Sequence, residues 1–335
     1  MRNQEITQAD VGRSYGIQNM YRDLDSNDCM EFEKLLSKSE SSAATFVQMI
    51  VSGSKDISLT RAKLLELKKF LFIMMYRCES RRNQYFLEIF DIITRRSIEK
   101  HMRFNNIHNI HEVWFENLKW IIKTPFDGIM DEIKRASPNG NIFAGSPLDI
   151  VSSYNGPIHI VELLDFNLLI MHYVCIWQAP EGSEFILTDN CFGCYEGPMG
   201  ITLHFIYYAV VLANRSFMSS VPYDEITEMS LFKDHGLHVD PSCVYVKKCP
   251  RSHEDYTPED VFKYRRIVIP KQKVWLVNGV FLDAAHKSVT YKSDASMYRS
   301  LLFYDKNKKK VRWIGRDYSR LKRKLFAEMN RTHSN

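Results

Sequence analysis

Asp224, Glu225 and Glu228 place three carboxylates within five residues. Pro222, followed by two acids, predicts a helix that starts here and stops at Gly236. On a helix these acids lie three and four residues apart, so they share one face. A crowded, partly buried acidic face can transfer a proton at neutral pH, hold a guanidinium or bind Mg²⁺. The structural alternative is that acids in a first turn complement the helix dipole.

A basic segment occupies residues 306–324. It has ten Lys or Arg residues against one acid, so it carries +9, and the remainder of a chain with net charge +5 carries −4. Trp313 and Tyr318 lie within it. Cations that neutralise phosphates and rings that stack on bases predict RNA binding, and a solvated helix or a nuclear-localisation-like run is the alternative. The candidate contacts are Lys308, Lys309, Lys310, Arg312, Arg316, Arg320, Lys322, Arg323 and Lys324.

Two further polar positions interrupt apolar stretches. Asp189, Asn190 and Glu196 form a polar run between predicted strands, where a loop can offer side chains to a pocket. Asn278 stands before a glycine in an apolar stretch. These residues are weak candidates for substrate binding, and turn formation or a buried hydrogen bond explains them equally well.

The common catalytic and cofactor motifs do not occur in the sequence. It has no phosphate-binding GxxxxGK[ST] loop, no GxGxxG, no HExxH and no GxSxG. Cys191 and Cys194 form a CxxC without a second ligand pair at zinc-site spacing. We therefore predict neither a cofactor nor a metal.

Composition favours a folded protein of the cytoplasm. The chain has 335 residues, of which 45% are hydrophobic and 25% charged, and this excludes a disordered tail and a disulfide-stapled miniprotein. Seven cysteines and a polar first 25 residues predict free thiols in a reducing compartment. The longest apolar stretch, 201–213, is too short to span a bilayer, so no membrane association is expected.

Hydrophobic periodicity divides the chain into helical and strand-rich parts. Apolar residues recur at helical spacing over 43–135, whereas β-branched and aromatic residues dominate the middle. The predicted strands are 168–178, 185–187, 201–213, 264–269 and 274–277, and the later helices are 222–236, 295–304 and 318–329. This order predicts an α+β fold with a helical N-terminal half, a central, mainly antiparallel sheet and C-terminal helices that cover it.

The turn-rich run 137–145 separates the helical part from the strand-rich part. We predict an N-terminal extension at 1–40, one α+β catalytic domain at 41–305 and a basic C-terminal segment at 306–335. Within the domain, the helical part is 41–137 and the sheet-containing part is 146–305.

Several segments resemble, in order, a large fungal and bacterial domain family of unknown function. They are 58–77, 114–127, 185–198, 241–246, 275–282 and 297–304. The resemblance covers roughly residues 40–305. Within or close to that group are the fungal arginine-containing cyclodipeptide synthases, which are similar to this chain in size and layout.

This resemblance implies an aminoacyltransferase of secondary metabolism that joins the amino acids of two aminoacyl-tRNAs, one of them arginyl-tRNA, into a cyclic dipeptide. These enzymes need a DDxxE motif. Asp224 matches its first Asp and Glu228 its Glu, while Glu225 stands where a second Asp is expected. The resemblance thus implies that the acids are catalytic, either binding the arginyl guanidinium or deprotonating an α-amine, and that the basic segment binds tRNA. No protein partner is implied.

Two other functions fit the same residues. One is a nucleic-acid-binding protein or a metal-dependent nuclease that uses the basic segment and an acidic metal site. The other is a non-catalytic interaction domain in which the acids are helix caps.

Overall fold

The computed structural model describes residues 31–52, 56–136, 153–170, 173–189, 199–205, 207–213, 244–246, 257–285, 288–307, 325–327 and 329–331. The first seven helices of this part form the N-terminal half. They are α1 (Glu31–Val51), α2 (Arg61–Tyr76), α3 (Glu79–Phe86), α4 (Ile92–Asn105), α5 (Ile110–Lys123), α6 (Phe126–Ala136) and α7 (Ile160–Ile170).

Side-chain caps explain where several of these helices begin. Thr60, Asp91 and Asn109 each accept hydrogen bonds from backbone N–H groups of the first turn of α2, α4 and α5. Such caps satisfy donors that have no partner inside the helix. The predicted helical region 43–135 is therefore confirmed in outline, with α1 starting twelve residues earlier.

The strands form one large and one small sheet. They are β1 (Asp56–Thr60), β2 (Tyr173–Gln178), β3 (Leu187–Thr188), β4 (Met199–Phe205), β5 (Tyr208–Ala213), β6 (Val244–Val246), β7 (Val261–Val268) and β8 (Val289–Thr290). The large sheet has the order β1-β7-β2-β5-β4, and β6 also pairs with β7. Only the β2–β7 pair among these is parallel, and β3 pairs with β8 separately. The predicted mainly antiparallel sheet is confirmed.

Strand β1 lies inside the region predicted to be helical. Its burial alternates, with Ile57 and Leu59 buried, and every residue pairs with β7 about two hundred positions later. A five-residue strand with such a distant partner leaves no local signal, so the prediction missed it.

Two predicted strands are wrong in part or in whole. The stretch 168–178 begins within α7, and of its described residues Tyr173–Gln178 form a strand. The stretch 274–277 lies inside α8 (Lys271–Ala284). Both are short apolar runs, for which periodicity alone does not separate a buried helix from a strand.

The other predicted elements mostly agree with the structure. The stretch 201–213 is a hairpin of β4 and β5, 264–269 overlaps β7, and 185–187 overlaps β3. The helix predicted at 295–304 is confirmed as α9 (Asp294–Asn307). The helix predicted at 222–236 and most of that predicted at 318–329 lie outside the described residues, although 325–327 are helical.

The large sheet separates two hydrophobic cores. Val174 and Ile176 of β2 belong to the core under the N-terminal helices, whereas Trp177 belongs to the core that α8 and α9 build. Neighbouring strand residues point to opposite faces, so helices cover both faces of the sheet. The predicted α+β class and the C-terminal helical cover are therefore confirmed. Among the described helices, none is long and apolar enough to cross a membrane.

Asn278 of α8 forms buried hydrogen bonds within the core that α8 and α9 build. Its side chain is fully buried, donates to the Glu184 carbonyl and the Ser300 hydroxyl at 2.9 Å each, and accepts from the Ile186 N–H at 3.1 Å. It thus joins α8 to α9 and to the chain that leads into β3.

We expect Asn278→Ala to lower the free energy of unfolding by about 2–3 kcal/mol, because it leaves buried donors and acceptors without partners. Gln272→Ala, at an exposed position of the same helix, should change it by less than about 0.5 kcal/mol. Urea unfolding of both variants measures the difference. Equal losses would show that the Asn278 hydrogen bonds contribute nothing.

Candidate functional site

Most of the predicted site residues lie outside the described part of the chain. This holds for the acidic cluster of Asp224, Glu225 and Glu228, for Asn190 and Glu196, and for the basic segment from Lys308 to Lys324. Their roles stay predictions.

The two remaining candidates, Asp189 and Asn278, support the same stretch of chain. The Asp189 N–H donates to the Ser288 carbonyl, and its carboxylate accepts from the Ser288 N–H, both at 3.4 Å, which extends the β3–β8 pairing by one residue. Both N–H groups of the Asn278 amide are donated inside the protein. The turn and buried hydrogen-bond explanation therefore accounts for the observed contacts of these two residues.

A buried ionic cluster lies in the N-terminal half. At its centre is Glu162 of α7, whose side chain is 0% exposed. One carboxylate oxygen accepts from the Tyr85 hydroxyl and the other from the Arg81 guanidinium at 2.7 Å. Arg81 also donates to Asp165 at 2.7 Å and to Gln84 at 3.0 Å. We call these residues the Glu162 cluster.

Burial dominates the electrostatics of this cluster. Desolvation raises the pKa of Glu162, and the nearby Arg81 opposes that rise. Desolvation also raises the pKa of Tyr85 well above its usual value, with the charge of Glu162 adding to it. Tyr85 therefore stays protonated and donates a hydrogen bond to Glu162, while Arg81 stays charged. The cluster can hold a guanidinium and share a proton between a phenol and a carboxylate.

A second set of polar side chains lies beside the first. The Asn117 side chain donates a hydrogen bond to the Tyr76 hydroxyl at 3.3 Å and accepts one from the backbone N–H of His159 at 3.0 Å. His159 Nε2 lies 3.0 Å from the Ser97 hydroxyl, and its ring is 5.7 Å from that of His101. His159 Nδ1 and His101 Nε2 are buried and have no hydrogen-bond partner.

Burial keeps both imidazoles neutral. Desolvation lowers the pKa of His101 to about 4. Desolvation, with smaller contributions from the neighbouring His101 ring and the Arg81 guanidinium, lowers the pKa of His159 to about 3. Ser97 and His159 have the residue types of a nucleophile and base, but both are buried. The observed contacts are those of a polar brace between α2, α3, α4, α5 and α7.

The sequence analysis did not identify the Glu162 cluster. Glu162 and Asp165 are the acids of the run IVELLDFNLLI at 160–170, which is otherwise apolar except for Asn167. Acids in such a run are a signal of buried charge that needs a partner. The partner Arg81 lies about eighty residues earlier, where spacing gives no guidance.

Comparison with known families gives a match over most of the chain. The model of DUF4238, a protein family of unknown function, matches residues 1–295. The chain belongs to the DUF4238 family. No curated protein and no solved structure matches the chain.

The DUF4238 match spans the acidic cluster at 224–228 and the Glu162 cluster, and it ends before the basic segment. The expected membership of a family of unknown function is confirmed. The match does not itself support the narrower resemblance to cyclodipeptide synthases, which stays a proposal. Among the described residues no group of three His, Cys, Asp or Glu is placed to hold a metal ion.

We expect Glu162→Gln to lower the free energy of unfolding by about 3–5 kcal/mol, because Arg81 then lacks its buried counter-charge. Asp165→Asn should cost less than about 1 kcal/mol, since Asp165 is 33% exposed and water compensates for the lost charge. Chemical denaturation at pH 7 checks both values. A larger effect at Asp165 would contradict the central role of Glu162.

The two buried histidines should make the protein less stable in acid. Their pKa values are lower in the folded chain than in the unfolded one, so the unfolded chain binds protons first as the pH falls below about 6.5. We expect each histidine to remove about 2 kcal/mol of stability between pH 7 and pH 5.

Urea unfolding at pH 7, 6 and 5 measures this dependence. His101→Gln and His159→Gln should each flatten it, whereas His108→Gln, at an exposed position, should leave it unchanged. An unchanged slope in the His101→Gln/His159→Gln variant would mean that other groups cause the acid sensitivity.

Proposed function

We propose that this DUF4238 protein is an aminoacyl-tRNA-dependent cyclodipeptide synthase that makes an arginine-containing diketopiperazine. The observation that carries the proposal is the arrangement of Asp224, Glu225 and Glu228, which resembles the DDxxE motif of the fungal synthases and lies inside the family match. The order of the resembling segments over residues 40–305 supports it. The basic segment adds a surface suited to a polyanion.

The reaction needs positioning and proton transfer. The α-amine of one aminoacyl-tRNA attacks the ester carbonyl of the other, the tRNA hydroxyl leaves, and the new amide joins the two amino acids. The free amine of the dipeptidyl-tRNA then attacks the remaining ester, which closes the ring and releases the second tRNA. Both esters are already activated, so the protein must orient them, accept the ammonium protons and stabilise the oxyanions.

The acidic cluster has two possible roles in this scheme. A carboxylate among Asp224, Glu225 and Glu228 can accept a proton from the α-ammonium group, or a pair of them can hold the arginyl guanidinium through two hydrogen bonds. In the first role its loss stops every product. In the second its loss changes which amino acids are joined.

The test is expression in a bacterial host, with mass spectrometry of the medium for arginine-containing diketopiperazines. Asp224→Asn and Glu228→Gln should lower the product by at least about a hundredfold, the size of a lost general base. Glu225→Asp, which restores the family pattern, should retain it. Asp131→Asn, on the surface of α6 and 74% exposed, is the matched control and should make product normally.

Circular dichroism separates loss of activity from loss of folding in these variants. Absence of cyclic dipeptides from cells that contain folded wild-type protein and both charged tRNAs would overturn the proposal. Mg²⁺-dependent loss of RNA in the same cells would favour the metal-dependent nuclease instead.

A further inference from the structure

A groove lies between α1 and α2 in the N-terminal half. Residues of both helices line it, together with the junction of α5 and α6 and the turn Thr257–Pro258. Its volume is about 780 Å³, within the usual range of ligand pockets. Neither the Glu162 cluster nor Asp189 or Asn278, the predicted site residues within the described part of the chain, lines it.

The floor of the groove is apolar and its sides carry cations. Phe46, Phe70 and Ile122 are buried beneath it, and the half-buried ring of Phe126 lies at the α5–α6 junction. Five cations and two acids line the groove. The cations are Lys38, Arg61, Lys63, Lys69 and Lys123, and the acids are Glu66 and Asp127.

Two of the five cations are already paired. Arg61 donates to Asp260 at 2.9 Å, and Lys123 lies 3.0 Å from Glu31. Lys38 and Lys63 are exposed and form no ion pair with a described residue. They stand on facing helices, one on each side of the groove.

Lys69 is a third, fixed cation inside the groove. Its ammonium donates to the carbonyls of Ile122 at 3.1 Å and Thr124 at 2.6 Å, so it caps the end of α5 and keeps one N–H for another acceptor. Desolvation lowers the pKa of Lys69 to about 8, against the charge of Glu66. An anion in the groove would compensate for this desolvation.

We propose that this groove binds the single-stranded 3′ end of the aminoacyl-tRNA, with bases on the apolar floor and phosphates between Lys38, Lys63 and Lys69. This inference rests on the proposed function. Apolar and aromatic surface beside unpaired cations is the combination that binds single-stranded nucleic acid, because bases lose water to the floor while phosphates meet positive charge. Helix α1 also places the hydroxyls of Ser39 and Ser42 along the same wall.

The test compares the variant Lys38→Glu/Lys63→Glu with the wild type for binding of two RNAs. One is an intact tRNA, and the other is the same tRNA without its unpaired 3′ nucleotides. Both substitutions suit the fold: Lys38 is exposed, and Glu at position 63 completes a capping box with Thr60, which already accepts from the backbone N–H of residue 63. Arg96→Glu/Arg103→Glu, at exposed positions of α4, makes the same change in net charge outside the groove.

We expect the groove variant to bind intact tRNA about tenfold more weakly than the wild type, measured by fluorescence anisotropy at 150 mM salt. The wild type should bind the truncated tRNA more weakly than it binds the intact tRNA. The groove variant and the wild type should bind the truncated tRNA equally well. The α4 variant should retain the preference for the intact 3′ end.

Equal losses in the groove and α4 variants would overturn the groove proposal, because they would show general electrostatic attraction. Equal losses for intact and truncated tRNA would also overturn it. Product formation separates this outcome from the proposed function: cyclic dipeptide made at normal rates by the groove variant refutes the groove alone. If the wild type makes no dipeptide but still prefers the intact 3′ end, and the groove variant loses that preference, the groove is retained as an RNA site and the synthase is refuted.

Discussion

Glu162 is a carboxylate without access to water, and its need for hydrogen-bond donors determines how the N-terminal helices meet. A buried carboxylate is tolerated only when a cation and donors surround it. Arg81 and Tyr85 supply these from α3, and the adjoining hydrogen bonds of Asn117 and His159 extend the brace to α2, α4 and α5. The packing of five helices therefore follows from satisfying a few polar atoms as well as from burying apolar surface.

The large sheet packs against these helices on one face and against α8 and α9 on the other. Val174 and Ile176 of β2 face the braced helices, and Trp177 faces α8 and α9. On that second side Asn278 has a role like that of Glu162, since it satisfies backbone groups near β3 and a hydroxyl of α9. Each face of the sheet is thus covered by helices that buried polar side chains hold in place. The groove between α1 and α2 is separate from this brace, and none of its cations belongs to the Glu162 cluster.

Much of the fold was predictable from local pattern. The helical first half, the hairpin within 201–213 and helix α9 follow from periodicity and from cap residues such as Asp91. The strand predicted at 274–277 was wrong because Val274, Trp275 and Val277 suit a buried helix as well as a strand. Strand β1 was missed because its pairing with β7 depends on residues far away in the chain. The acidic and basic clusters expected to carry the function lie outside the described residues.

The sequence by itself determined the distribution of charge, the α+β class and the resemblance that the family match bears out at its broadest level. These depend on composition, on periodicity and on the order of short segments, all of which are readable along the chain. Only the tertiary structure decided which charges become partners. Arg81 meets Glu162, Lys69 meets the end of α5, and Lys38 and Lys63 come to line the same groove. These contacts depend on how the helices pack. Packing brings together residues that are far apart in the sequence, and their spacing along the chain does not reveal the contact.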